Sequence, residues 1–311
     1  MKKGILLIIS VFALTFTIEA QQLTQYSHYV LNYFGINPAV AGSSPCLDMK
    51  IGYRKQWTGV PGSPSTAFAN AHGNFGKKKN TFHGIGGQVE TDDVGPLSFT
   101  SLAIAYAYHM KVNRKTSLSA GVSAGFLQYR IDAAGLVLPD VGFGQDPAFD
   151  GAASELVFPM VNFGLWMYQK DKFYGFAVRN INSPKLGSIG LSTKLTPHYS
   201  FTHGRAIEMQ DGFSFKPSLQ LKYVASSRLA IDLNAMVDYQ SKVELGVGFR
   251  SESGIIGLVR FDLFKYVTLA YAYDHTLSNI RYGSRHTHEI VLGIQACAIG
   301  NSRVTKCDAY N

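Results

Sequence analysis

The sequence predicts an all-β chain that closes into a transmembrane antiparallel β-barrel of about 14 strands (12–14), with a short N-terminal segment as a plug. Three observations predict it. Alternation of apolar and polar residues with period two recurs from Cys46 to the end, while helical periodicity is almost absent. The alternating runs are about 10 residues long, the length a tilted strand needs to cross a bilayer. The longest connections follow odd-numbered strands and the short ones follow even-numbered strands, the asymmetry of outer loops and periplasmic turns in outer-membrane barrels.

Composition agrees. Of 311 residues only 16% are charged, 46% are hydrophobic, 13% are aromatic and 31 are glycine. Mean hydropathy is +0.02, far below that of a bundle of membrane helices. Disorder would need low hydrophobicity and high net charge. A soluble sandwich also alternates, but its strands are shorter and its surface more charged. The net charge of +8 admits nucleic acid, an anionic membrane or an acidic partner; export and the lack of any nucleic-acid-binding pattern argue against nucleic acid.

Taken in order, Lys2 and Lys3 precede an apolar run from Gly4 to Thr17, and Glu19-Ala20 leads into Gln21. This is the pattern of a secretory signal peptide cut near Ala20, so residues 1–20 are set apart from the fold. Residues 21–45 lack sustained alternation and carry several turn formers, as a segment lying in or beneath a lumen would. Residues 46–311 form the barrel and a short C-terminal tail.

The expected strands are 46–57, 65–75, 83–90, 98–111, 116–132, 160–168, 173–180, 197–209, 213–225, 229–239, 242–252, 254–263, 267–275 and 286–296. The clearest alternation sets Leu229, Ile231, Leu233, Ala235, Val237 and Tyr239 against a face with Asp232, Asn234 and Asp238, which we read as lumen lining. An even count suits a closed antiparallel barrel, which satisfies every backbone group within lipid, and it places both termini on the periplasmic side. The long connections are 133–159, 181–198 and 276–285. Lys77-Lys78-Lys79, Lys111, Arg114, Lys115, Lys170, Lys172 and Lys265 fall at periplasmic turns, where they solvate the turn or meet acidic partners.

No catalytic constellation is present, and no cofactor or metal site is expected: no nucleophile elbow, zinc-protease motif or phosphate loop occurs. His286 and His288 lie two apart on one strand without further ligands. Asp92-Asp93 reads as a solvated turn. Of the three cysteines, Cys46 opens the first strand and Cys297 ends the last, so closure could join them or bring Cys46 to Cys307; a local Cys297–Cys307 bridge is an equal alternative.

Two motifs carry a resemblance. Tyr29-Val-Leu-Asn32, followed by Asn37-Pro38-Ala39-Val40-Ala41-Gly42, and then Arg54-Lys-Gln56-Trp57-Thr-Gly59 resemble the PorP/SprF family of outer-membrane proteins, associated with type IX secretion and gliding motility in Bacteroidota. Val40 stands where the family commonly has Tyr. The resemblance implies a non-enzymatic outer-membrane component that docks or anchors secreted cargo or an adhesin through its C-terminal sorting domain. The implied partners are that domain, periplasmic or outer-membrane type IX components, and outer-membrane lipid. Read physically, Asn37-Pro38 initiates a turn, Ala39 and Ala41 allow close packing, and Gly42 can take a positive φ. Arg54 and Gln56 would share the inner face of the first strand, with Trp57 opposite at the outer interface. The other reading is an outer-membrane transport barrel for small or hydrophobic substrates.

Overall fold

The computed structural model describes residues 24–76, 80–132, 155–184, 195–225, 227–251, 253–263, 266–277, 283–284 and 286–297. The leader, Lys77-Lys78-Lys79, Lys265, Cys307 and most of the long connections lie outside the described residues.

Fourteen strands are described: β1 (Leu47–Lys55), β2 (Ser65–Phe75), β3 (Thr81–Val94), β4 (Leu97–Lys111), β5 (Ser117–Ile131), β6 (Glu155–Tyr168), β7 (Lys172–Arg179), β8 (His198–Arg205, carried on by Ile207–Glu208), β9 (Phe213–Val224), β10 (Ala230–Tyr239), β11 (Val243–Arg250), β12 (Gly254–Leu263), β13 (Val267–Thr276) and β14 (His286–Ala296). Each pairs antiparallel with its chain neighbours, and β1 pairs with β14 from Leu47↔Ala296 to Lys55↔His288, closing the barrel. A disulfide joins Cys46 to Cys297 at one end of this seam. The ladder between β8 and β9 breaks at Ala206, opposite Lys216 and Pro217. Proline has no N–H to give a neighbour, which accounts for the break.

Period-two alternation sorts the side chains. Ile51, Tyr53, Leu102, Ile104, Val122, Leu245, Val247 and Ile290 point outward and are exposed. Their strand neighbours Arg54, Ser101, Ser123, Glu244 and Glu289 point inward and are buried. A soluble protein does not expose an apolar belt of this extent. Aromatic residues cluster at both edges of the belt: Tyr106, Tyr108, Phe213 and Tyr239 at the end with the shorter turns, Tyr53, Tyr199, Tyr223 and Tyr271 at the end with the longer loops. Such girdles mark the two membrane interfaces.

The sequence places the third strand at 83–90 with Asp92-Asp93 in a turn. Instead β3 runs from Thr81 to Val94, and only Gly95 and Pro96 separate it from β4. Asp92 and Asp93 pair with Phe99 and Ser98 within the ladder, because Gly95 (φ +58°) allows a tight reversal two residues later. One connection after an odd strand is therefore short. The sixth strand also starts earlier than expected, at Glu155.

Residues 26–44 lie inside the barrel. They are buried almost throughout, and they contact inward-facing side chains of walls on opposite sides, from β2 to β7 and from β9 to β14. Three short helical turns, Tyr29–Leu31, Tyr33–Ile36 and Pro38–Val40, shape this plug. Asn32 accepts from the Gly35 N–H at 3.2 Å and Asn37 from the Ala39 N–H at 2.9 Å, each supplying a cap where the short turn leaves a donor unsatisfied.

Candidate functional site

The lumen is the place where the chemistry converges, and it is organised in two levels. At the level nearer the loop end, inward charged residues converge: Arg54, Glu90, Arg179, Asp232, Arg250, Asp274 and Glu289. Arg54 is 3.1 Å from Asp274 and 3.7 Å from Glu289; Arg250 is 3.2 Å from Asp232 and 3.7 Å from Asp274. The plug enters this network as a partner. Glu289 accepts the backbone N–H groups of Ser27 (2.5 Å) and His28 (3.0 Å). The Ser27 hydroxyl donates to Asp274 (2.8 Å) and accepts from Arg54 Nε (3.0 Å). Arg250 donates to the Tyr26 carbonyl at 2.6 Å, and the Tyr26 hydroxyl donates to Glu90, which faces Arg179 at 3.8 Å. Charges held this far from water persist only when each is paired and hydrogen-bonded.

Burial raises the Tyr26 phenol well above its ordinary pKa, with the Glu90 carboxylate adding to the shift. Burial also lowers the His28 imidazole to about 4, an effect that the neighbouring Glu244 opposes and Arg260 reinforces. The His28 ring is fully buried, and neither nitrogen has a hydrogen-bond partner among the described residues, so the neutral form is the stable one.

At the level nearer the turn end, the segment Asn37–Gly42 lies on a track of small residues. A methyl placed on Gly84 (β3) would stand 1.9 Å from the Ala41 carbonyl oxygen; one on Gly121 (β5) would stand 2.5 Å from Ala39 Cα. At Gly164 (β6) it would meet Asn37 Oδ1 at 1.9 Å. Such glycines mark close approach of another backbone. Asn37 Nδ2 donates to the Leu165 and Phe176 carbonyls (3.0 and 3.2 Å), spanning β6 and β7. Ser119 donates to the Ala39 carbonyl at 2.8 Å, and the His109 ring bonds the Ala41 carbonyl at 2.7 Å. Above this contact Tyr33 packs on Phe173 (4.8 Å between centroids), which stacks on Trp166 at 4.6 Å. Gly42 has φ +78° and sits 2.6 Å from Gly84 Cα, measured from where its own Cβ would be. Two cavities beside the plug each have room for only about one or two waters.

The second sequence motif divides. Arg54 faces the lumen in the network above. The first strand ends at Lys55 rather than running to Trp57, so Gln56, Trp57 and Gly59 form the β1–β2 loop and do not continue its alternation. The Gln56 N–H closes the loop on the Pro64 carbonyl (2.9 Å), and the Thr58 N–H reaches the His286 carbonyl at 2.8 Å. Trp57, at φ +45°, donates its N–H to the Thr287 hydroxyl at 3.2 Å. The loop thus stitches β1 to β14 at the loop end, as Cys46–Cys297 does at the turn end. Among the described residues no group of three or more His, Cys, Asp or Glu is placed to hold a metal ion.

At the loop end, β3, β4 and β5 continue past the apolar belt and their facing inverts. Outward positions become polar: Thr91, Asp93, Ser98, Thr100, Gln128 and Arg130. On β4 and β5 the inward positions become apolar: Leu97, Phe99, Leu127, Tyr129 and Ile131, joined by Leu156 and Phe158 of β6, all half-exposed, while the inward Asp92 of β3 accepts from the Thr66 hydroxyl at 2.6 Å. Phe99 and Tyr129 meet edge to face at 4.8 Å. The mouth therefore carries an apolar inner wall above a polar lumen.

The family model for the type IX secretion system membrane protein PorP/SprF matches residues 18–294. The chain belongs to the PorP/SprF family. Among solved structures, the toluene transporter TbuX of Ralstonia pickettii is similar at 12% identity, over 86% of this chain and 93% of that one, with a TM-score of 0.52. A Pseudomonas aeruginosa FadL homologue is similar at 11% identity, over 83% and 91%, with a TM-score of 0.48. The likeness to TbuX speaks for the barrel fold. No curated protein matches the chain. Membership and fold together make this PorP/SprF protein an outer-membrane barrel, with the loop end outside and the turn end facing the periplasm. Lys111, Arg114, Lys115, Lys170 and Lys172 accordingly lie at the periplasmic rim.

Sequence reading missed the partners of the plug. Glu289, Asp274 and Arg250 had one signal, a charge in the polar phase of a strand otherwise facing lipid. Gly84, Gly121 and Gly164 had another, glycine at inward positions of long strands.

Proposed function

We propose that this PorP/SprF protein is a non-enzymatic docking component of type IX secretion. In this reading it holds a secreted cargo or adhesin at the cell surface through the cargo's C-terminal sorting domain, while the basic periplasmic rim faces other components of the system. The observation that carries the reading is the inverted facing at the outer mouth. The inner wall there is apolar and half-exposed, an arrangement that leaves Leu97, Phe99, Leu127 and Tyr129 wanting a protein or other apolar partner. The plug supports the same reading: a lumen filled by residues 26–44 and clamped by buried ion pairs serves as a platform, not a passage for a folded cargo.

The test is surface display. Substituting Phe99→Asp together with Tyr129→Asp should leave the barrel assembled, because both positions lie above the membrane belt, and should reduce retention of cargo at the cell surface. Undiminished retention contradicts docking at this wall. The same wall would also receive a small apolar solute, which supports the transport reading. Solute uptake or conductance by the purified barrel, without any cargo, would favour that second reading.

A further inference from the structure

On the outside of the barrel, the seam strands β13, β14 and β1 end in a patch unlike the rest of the outer rim. Outward positions at the outer end are His275 on β13, His286 and His288 on β14, and Lys55 on β1. The register places His275 directly opposite His286, and His288 directly opposite Lys55. One step closer to the membrane centre the outward residues are Tyr53, Ile290 and Tyr271, all exposed members of the apolar belt and its girdle. The three imidazoles and the ammonium therefore stand at headgroup depth, where interfacial polar side chains meet lipid phosphates and sugars.

The rings are held in place. The Tyr271 hydroxyl hydrogen-bonds His288 Nδ1 at 2.7 Å, and the Tyr273 hydroxyl bonds His286 Nδ1 at 2.5 Å. Each bond occupies Nδ1 and leaves Nε2 without a hydrogen bond among the described residues. Lys55 spends one of its three protons on the Ser63 carbonyl, at 2.7 Å, and keeps two. The acidic residues of these strands, Asp48, Asp274 and Glu289, all face the lumen and are buried. The outward face of β13, β14 and β1 thus bears donors and positive charge with no carboxylate among the described residues to neutralise them. Two strands along from β1, the row of Lys55 and Ser65 continues to Asp93 on β3, whose carboxylate accepts the Ser98 hydroxyl on β4.

We infer that the outer seam patch of Lys55, His275, His286 and His288 binds the phosphorylated headgroup of an outer-leaflet glycolipid. A phosphate takes charge-assisted hydrogen bonds from an ammonium and from imidazole N–H groups, while Tyr53 and Tyr271 pack beside the first carbons of the acyl chains. The patch lies where β1 meets β14, so an occupied site fastens lipid to the seam.

The experiment uses the full-length barrel purified in mild detergent and lipid A as the probe. Native mass spectrometry should show the phosphorylated form retained, and a form stripped of its phosphates lost. The triple variant Lys55→Gln, His286→Gln, His288→Gln should weaken retention by about tenfold, which is about 1.4 kcal/mol. A gel shift on heating verifies that the variant is a folded barrel. If it is not, the single Lys55→Glu exchange, which puts repulsion in the patch and keeps the tyrosine–histidine bonds, reads the same loss. Equal retention of dephosphorylated lipid A overturns the proposal, and so does unchanged retention in a folded variant. Displacement by millimolar inorganic phosphate would show a free-anion site and overturns it as well.

Discussion

Gly84 on β3 and Ala41 in the plug touch so closely that one methyl would part them: a Cβ on Gly84 would lie 1.9 Å from the Ala41 carbonyl oxygen. The contact explains why the N-P-A-V-A-G segment is built from small residues. It also shows that the plug is fitted to the wall by backbone approach, which no flexible side chain can relax.

Gly84→Ala should therefore expel or tilt the lower plug. The cost expected of overpacking is about 1–3 kcal/mol, and limited proteolysis of the plug in folded protein checks it. Ala41→Gly keeps the approach and should leave protection unchanged.

Glu289→Ala removes the acceptor of the Ser27 and His28 N–H groups and one partner of Arg54. Breaking a buried pair from one side costs about 3–5 kcal/mol. Hydrogen exchange at residues 26–29 should rise sharply while the strands remain protected.

Acid should loosen the plug. The His28 pKa is about 4 in the folded chain against about 6.5 unfolded. Below 6.5 the released segment binds a proton that the packed one refuses, so the hold is complete above pH 6.5 and weakens as pH falls towards 4. The loss reaches at most about 3 kcal/mol. His28→Leu should flatten this part of the pH profile of plug proteolysis; an unchanged slope assigns the pH dependence to other groups.

Reducing the Cys46–Cys297 disulfide opens a covalent loop across the seam. The ladder from Leu47↔Ala296 to Lys55↔His288 remains, so the barrel should stay closed. Its unfolding midpoint in denaturant should fall by the equivalent of about 2–4 kcal/mol, and Cys46→Ser should reproduce the shift.

Much of this architecture is legible in the residues. Alternation from Leu229 to Tyr239 marks a membrane strand because one face meets lipid and the other a polar lumen, and β10 covers Ala230–Tyr239. The extension of β3 to Val94 was not legible, because Asp92 and Asp93 are poor strand formers and pair only through partners on β2 and β4. The plug's hold was legible only in half. Asn37, Pro38 and Gly42 announce tight turns locally. Ser27 and His28 meet Glu289 across about 260 positions of chain, and no local pattern encodes such a pairing.

The central claim is that this PorP/SprF barrel works by docking. The most direct test is a pull-down of the tagged protein from native outer membrane, with mass spectrometry of what accompanies it, beside the Phe99→Asp, Tyr129→Asp variant. Docking predicts a secreted protein with a C-terminal sorting domain, or type IX components, recovered with the native chain, and the cargo lost from the variant. A clean barrel without partners, together with solute flux through it, would contradict the account.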